Sequence, residues 1–81
     1  MVVQHIQKVD TEEAVRILGD TYQNGLAFLK EETLGWFITI PGAQYQVDKV
    51  TVTTLGRKEF IYFDKERNAW LPTAKCCAEC A

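Results

Sequence analysis

All three cysteines of the chain, Cys76, Cys77 and Cys80, fall within its last six residues, in the stretch TAKCCAECA. Cys77-Ala78-Glu79-Cys80 has the C-x₂-C spacing of a zinc knuckle, in which two thiolates on a tight turn face one tetrahedral ion. A structural zinc site needs four ligands, and the sequence supplies no second pair; His5 is its single histidine. Adjacent side chains diverge, so Cys76 and Cys77 do not share an ion. A closed site would need Cys77 and Cys80 from two chains, or His5 brought to them by the fold. Redox work by the same pair needs a helix N-terminus beside a strand to lower the thiol pKa, whereas here the pair follows Pro72 at the chain end. The expectation is a mobile tail over residues 73–81, without zinc or another cofactor. The alternative is a metal- or thiol-dependent dimer acting through Cys77 and Cys80.

The remaining reactive groups do not assemble into a catalytic set. His5 could act as a general base, but the sequence contains no serine, which removes Ser-His-Asp chemistry. The carboxylate pairs Glu12–Glu13 and Glu31–Glu32 are adjacent residues whose side chains diverge, where acid–base work needs two carboxylates converging across a cleft. No phosphate-cradling glycine loop and no nucleophile elbow is present. No enzymatic activity is expected.

The aromatics Trp36, Phe37, Tyr45, Phe60, Tyr62, Phe63 and Trp70 all lie in the second, strand-rich part of the chain. Exposed beside Arg57, Lys58, Lys65 and Arg67, they could stack single-stranded nucleic acid. Glu59, Asp64 and Glu66 interrupt those cations, and the formal net charge is −2, so no cationic field draws phosphate. Nucleic-acid binding is therefore a second alternative. Charge is also unevenly divided: residues 1–40 carry three basic and six acidic groups, residues 41–81 six basic and five acidic. The acidic excess gathers in Glu12, Glu13, Asp20, Glu31 and Glu32, some of which the spacing could set on one side of the helix end and the adjoining turn. Such a negative patch would suit a basic protein partner.

These residues must be positioned by a small fold. At 81 residues and 47% hydrophobic, the chain makes one domain in which nearly every large apolar side chain is committed to the core. Residues 2–9 read as a strand. Asp10 or Thr11 can cap a helix, with Glu13 placed as in a capping box. Val15, Leu18 and Tyr22 give that helix one apolar stripe, and Asn24–Gly25 supplies its terminator. Beyond Gly25 the period becomes extended: LAFLKE, GWFITIP, YQVDKVTVTT, EFIYFD and AWLP each read as strands. Val50 and Val52 are assigned to the face toward the helix, with Thr51 and Thr53 toward solvent. EFIYFD, apolar on both parities, reads as a central strand.

The expected fold is α+β: one helix packed on a curved antiparallel meander, in the order β-α-β-β-β-β-β over residues 1–72. A small, partly open barrel with a helix is the runner-up. This layout resembles that of small virus-encoded inhibitor proteins, and the resemblance implies action on another protein by surface complementarity. The chain is thus expected to be a cytoplasmic protein-binding module, an inhibitor or regulator. Its partner is a protein, with a homodimer through a sheet edge as a further possibility. No apolar run reaches the ~20 residues of a membrane span, and MVVQHIQKVD lacks the basic and apolar regions of a secretory signal.

Overall fold

The computed structural model describes residues 6–22 and 25–80, without the side chains of Glu79 and Cys80. Along the chain lie β1 (Gln7–Lys8), α1 (Thr11–Asp20), β2 (Phe28–Glu32), β3 (Gly35–Ile40) and β4 (Ala43–Val47), then α2 (Lys49–Arg57), β5 (Ile61–Asp64), β6 (Ala69–Pro72) and α3 (Ala74–Cys80). The strands form one six-stranded open sheet in the order β1-β4-β3-β2-β6-β5. Every pairing is antiparallel except β1 with β4. The architecture is α+β with an open sheet, not a closed barrel.

α1 forms for the reasons its sequence gives. Asp10 takes the extended N-cap conformation and accepts from the Glu13 N–H at 2.9 Å, satisfying one of the donors that a helix start leaves over. Ala14, Ile17 and Leu18 are buried along one stripe, and the helix continues through a buried Gly19. Residues 2–5 of the expected first strand and Asn24 of the expected terminator lie outside the described residues.

The stretch 48–57 departs from expectation. It is not the end of a strand but a second helix, with Asp48 at the N-cap position in extended geometry and no capping bond from its side chain. The Val/Thr alternation mimics period two. At helical period it places Thr51, Val52 and Leu55 inward, while Val50 projects outward at 75% exposure. The assignments of Val50 to the core side and Thr51 to solvent are thereby overturned. The β-branched threonines fit the helix by bonding back to it, Thr53 Oγ1 to the Lys49 carbonyl and Thr54 Oγ1 to the Val50 carbonyl.

α2 ends in a Schellman motif. Phe60 N–H bonds to the Leu55 carbonyl and Glu59 N–H to the Gly56 carbonyl, at 2.9 and 3.1 Å. Glu59 between them is left-handed, at φ 62°. Phe60 and Leu55, the two apolar residues such a motif brings together, are both buried. The Glu59 carbonyl accepts from Thr73 Oγ1 at 2.7 Å. Thr73 Oγ1 in turn accepts from Cys76 N–H, and Thr73 N–H bonds to the Phe60 carbonyl. One threonine therefore couples the end of α2 to the start of α3.

Residues 74–80 of the expected tail form α3. α3 packs along α1. Cys76 is fully buried there, its thiol directed at the Val15 carbonyl at 3.6 Å.

α2 also explains the strand order. β2, β3 and β4 are consecutive hairpin neighbours, joined at Thr33–Leu34 and at Pro41–Gly42. The chain then crosses the sheet through α2 and delivers β5 and β6 at the opposite side, where β6 pairs with β2. The uninterrupted meander that carries the resemblance to virus-encoded inhibitors is broken at this point. EFIYFD is likewise not central: β5 is an edge strand, with Tyr62 and Phe63 exposed.

Register defines two sheet faces, because directly opposed side chains share a side. Leu29, Ile38, Val47 and Ile61 lie on the helix side and join Ile17, Leu18, Val52, Leu55 and Cys76 in one core. The other face carries Lys30, Phe37 and Gln46 in a row, with Gln44 Nε2 donating to Glu32 at 3.4 Å.

Candidate functional site

The residues singled out in the sequence are now distributed over distinct places. Glu12 and Glu13 sit in the first turn of α1, where the helix dipole favours negative charge. A groove of about 570 Å³ runs beside them, lined by Thr11, Glu12, Glu13, Val15, Arg16, Lys58 and Phe60. A second concavity of about 350 Å³ borders Glu12 and Glu13 and is completed by residues 7–10. The two glutamates therefore form a ridge with a hollow on each side.

Several contacts fix this region. Thr11 Oγ1 lies 3.2 Å from Thr51 Oγ1, tying the start of α1 to α2. Lys58 Nζ stands 5.9 Å above the Phe60 ring, within cation–π range. Lys8 pairs with Asp48 at 2.7 Å on the side of the smaller hollow. Arg16 pairs with Glu13 and lies 3.6 Å from Asp20. Glu13, Arg16 and Asp20 are thus one i, i+3, i+7 row along the helix. The hydrogen bond that Arg16 donates to the Glu13 carboxylate, and then that carboxylate's charge, raise the Arg16 guanidinium above its ordinary pKa. The surface is a mosaic of both signs, because Lys8, Arg16 and Lys58 are interspersed with Asp10, Glu12 and Glu13.

The other two acidic candidates are elsewhere. Glu31 and Glu32 alternate to opposite faces of β2, Glu31 opposite Trp36 and Glu32 toward Gln44. The five carboxylates therefore do not build one patch, and Asp20 joins Glu13 only through Arg16. Sequence spacing missed Lys58 and Phe60, which approach α1 only because α2 turns the chain back. Arg16 was missed as well, although its place three residues after Glu13 and four before Asp20 was an available signal.

The cysteine and nucleic-acid readings meet different fates. Cys76 is a core residue and Cys77 is half-buried; Cys77 and Cys80 stand three residues apart on α3. His5 and the Cys80 side chain lie outside the described residues, among which no group of three or more His, Cys, Asp or Glu could hold a metal ion. The four cations proposed beside the aromatics separate: Arg57 and Lys58 end α2 before β5, whereas Lys65 and Arg67 occupy the turn after it. Arg67 is further engaged by the Gly25 carbonyl at 3.2 Å and by Asp64 at 3.9 Å. Of the aromatics, Tyr62 and Phe63 are exposed, Trp36, Tyr45 and Trp70 are half-buried, and Phe37 and Phe60 are buried.

Comparison with protein-family models, curated proteins and solved structures finds no match. No helix among the described residues is long and apolar enough to cross a membrane.

Proposed function

We propose that the chain is a small non-enzymatic protein-binding module, an inhibitor or regulator, that engages its partner across the Glu12–Glu13 ridge. The observation that carries this reading is the pairing of that ridge with the groove along α1, whose far wall brings Lys58 and Phe60 against Val15 and Arg16. Half-buried Val15, backed by the buried Phe60 and framed by charges of both signs, has the anatomy of a recognition surface: a small apolar centre with polar groups at its rim. Alternating charge gives selectivity and register, because a partner in the wrong orientation meets like charges.

The experiment is a comparison of baits. Wild-type protein and the double variant Glu12→Lys/Glu13→Lys are used at low salt to capture protein from an extract of the cells that produce the chain. The expected result is a discrete partner on the wild type that is lost from the variant, with both baits equally folded. Equal capture of the same species by both baits removes the ridge from the account.

A homodimer through a sheet edge has one specific observation in its favour: β5 is an edge strand whose Tyr62 and Phe63 are half-exposed. Unpaired edges of this kind accept a further strand. Sedimentation equilibrium over a range of concentrations tests it, and a monomer at every concentration rejects it.

A further inference from the structure

Glu31, the acidic candidate that left the helix surface, stands in a different setting. It lines a cleft of about 230 Å³ together with Trp36, Phe63, Trp70, Asn68 and Lys30. Register explains the convergence. Glu31 is opposite Trp36, and Trp70 is opposite both Leu29 and Phe63. The four side chains Glu31, Trp36, Trp70 and Phe63 therefore project from the same face of four neighbouring strands. Lys30, between Leu29 and Glu31, alternates to the other face and contributes to the rim. The Phe63 and Trp70 rings are 5.4 Å apart at 65°, so they form a corner and not a parallel stack.

The chemistry of these walls selects a ligand class. Aromatic faces carry the negative side of the ring quadrupole and attract a cation placed over them. Glu31 adds a formal negative charge to the same wall, which disfavours an anion. A purely apolar group would fill the cleft but forfeit both attractions. An alkylated ammonium satisfies the aromatic walls and Glu31, because its charge is spread over methyl groups that shed water more readily than a bare ammonium does, while the Lys30 charge opposes it only from the rim, on the other sheet face. The cleft has room for such a group, being several times the ~30 Å³ of one water.

We propose that this cleft is an aromatic cage for an alkylated ammonium group, presented by a methylated lysine side chain of a protein partner. The protein source rests on the protein-binding reading above; the cage itself does not. A side chain is favoured over a free small cation because the cleft is an open surface feature at the sheet edge. There, among the described residues, β5 pairs with β6 alone, and a polypeptide can add backbone contacts along the edge strand.

Trp36 and Trp70 are the two tryptophans of the chain, so intrinsic tryptophan emission reports on this cleft directly. The protein is titrated with a trimethyllysine peptide, with the same peptide carrying the neutral all-carbon isostere of that side chain, and with choline. The expected result is a saturable emission change with the trimethyllysine peptide and at least tenfold weaker binding of the isostere. Choline is expected to bind more weakly than the peptide. Glu31→Gln, at an exposed position, weakens the peptide at least threefold, and Phe63→Leu weakens it about tenfold, each with an unchanged far-ultraviolet dichroism spectrum. Equal binding of the isostere, or no saturable response, overturns the cage. Choline binding as tightly as the peptide overturns the protein source while leaving the ridge at Glu12 and Glu13 untouched. If Phe63→Leu fails to fold, Glu31→Gln decides.

Discussion

Replacing Cys76 by alanine tests whether the chain end is part of the fold. Cys76 is fully buried between α3 and α1, whereas its neighbour Cys77 is half-buried. Removing the buried sulfur loses about 0.8 kcal/mol of transfer free energy, taking it as the size of one methylene. A residual cavity of roughly 25 Å³ at ~24 cal/mol per Å³ adds about 0.6 kcal/mol. Alanine is the better helix former by about 0.5 kcal/mol, which offsets part of the loss in Cys76→Ala and applies equally to Cys77→Ala. The difference between the two variants is therefore the cleaner quantity: half-buried Cys77 loses about half the transfer term, about 0.4 kcal/mol, which leaves about 1.0 kcal/mol in favour of Cys77→Ala. For a domain of this size that corresponds to roughly 4–8 °C in midpoint. Thermal unfolding followed by far-ultraviolet dichroism, under reducing conditions, measures it. Coincident midpoints for the two variants would show that α3 does not pack on α1 and would refute the reasoning.

Five further substitutions, at four positions, probe local features. Glu59→Gly relieves a left-handed non-glycine residue at φ 62° and should stabilise the protein by about 1 kcal/mol in urea unfolding; its exposed pair with Lys75 at 3.9 Å contributes little. Val52→Ala should cost about 1–2 kcal/mol, while Val50→Ala should change stability by less than about 0.5 kcal/mol. Equal costs would return the segment to the strand that its alternation suggests. Asp10→Ala removes the N-cap acceptor of α1 and should cost about 1 kcal/mol, with Asp10→Asn retaining most of it; a loss as large for asparagine as for alanine would rule out capping as the cause.

The contrast between legible and illegible parts follows from what each signal requires. α1 could be read because Asp10, the glutamates of its first turn and a single apolar stripe all agree. The strands could be placed because their turns carry polar or Gly and Pro residues, as at Pro41–Gly42. α2 was hidden because Val50-Thr51-Val52-Thr53 are β-branched and alternate in type, and burial, not propensity, decides which reading holds. Asp48 at the N-cap position was the available signal. It is a weak one, since its carboxylate is drawn to Lys8 in an exposed pair. α3 was hidden because its stabilising contacts, Thr73 to Glu59 and Cys76 to Val15, span 14 and 61 residues of sequence. The edge position of β5 followed from the α2 crossover and was lost with it. Of the acidic set, Glu12 and Glu13 border one groove, and Asp20 is joined to Glu13 only through Arg16. Glu31 had to be placed on a sheet face before its aromatic neighbours could be seen.

The ridge and groove on α1 are the central claim, and site-specific photo-crosslinking tests them most directly. A photoreactive side chain is installed at Glu12, and separately at Val50, which is 75% exposed on α2, in an extract of the producing cells. The account predicts one discrete adduct from position 12 that intact wild-type protein competes away, and no such adduct from position 50. The same adduct from position 50, or none from position 12 in an extract where the wild-type bait captures a partner, would contradict it.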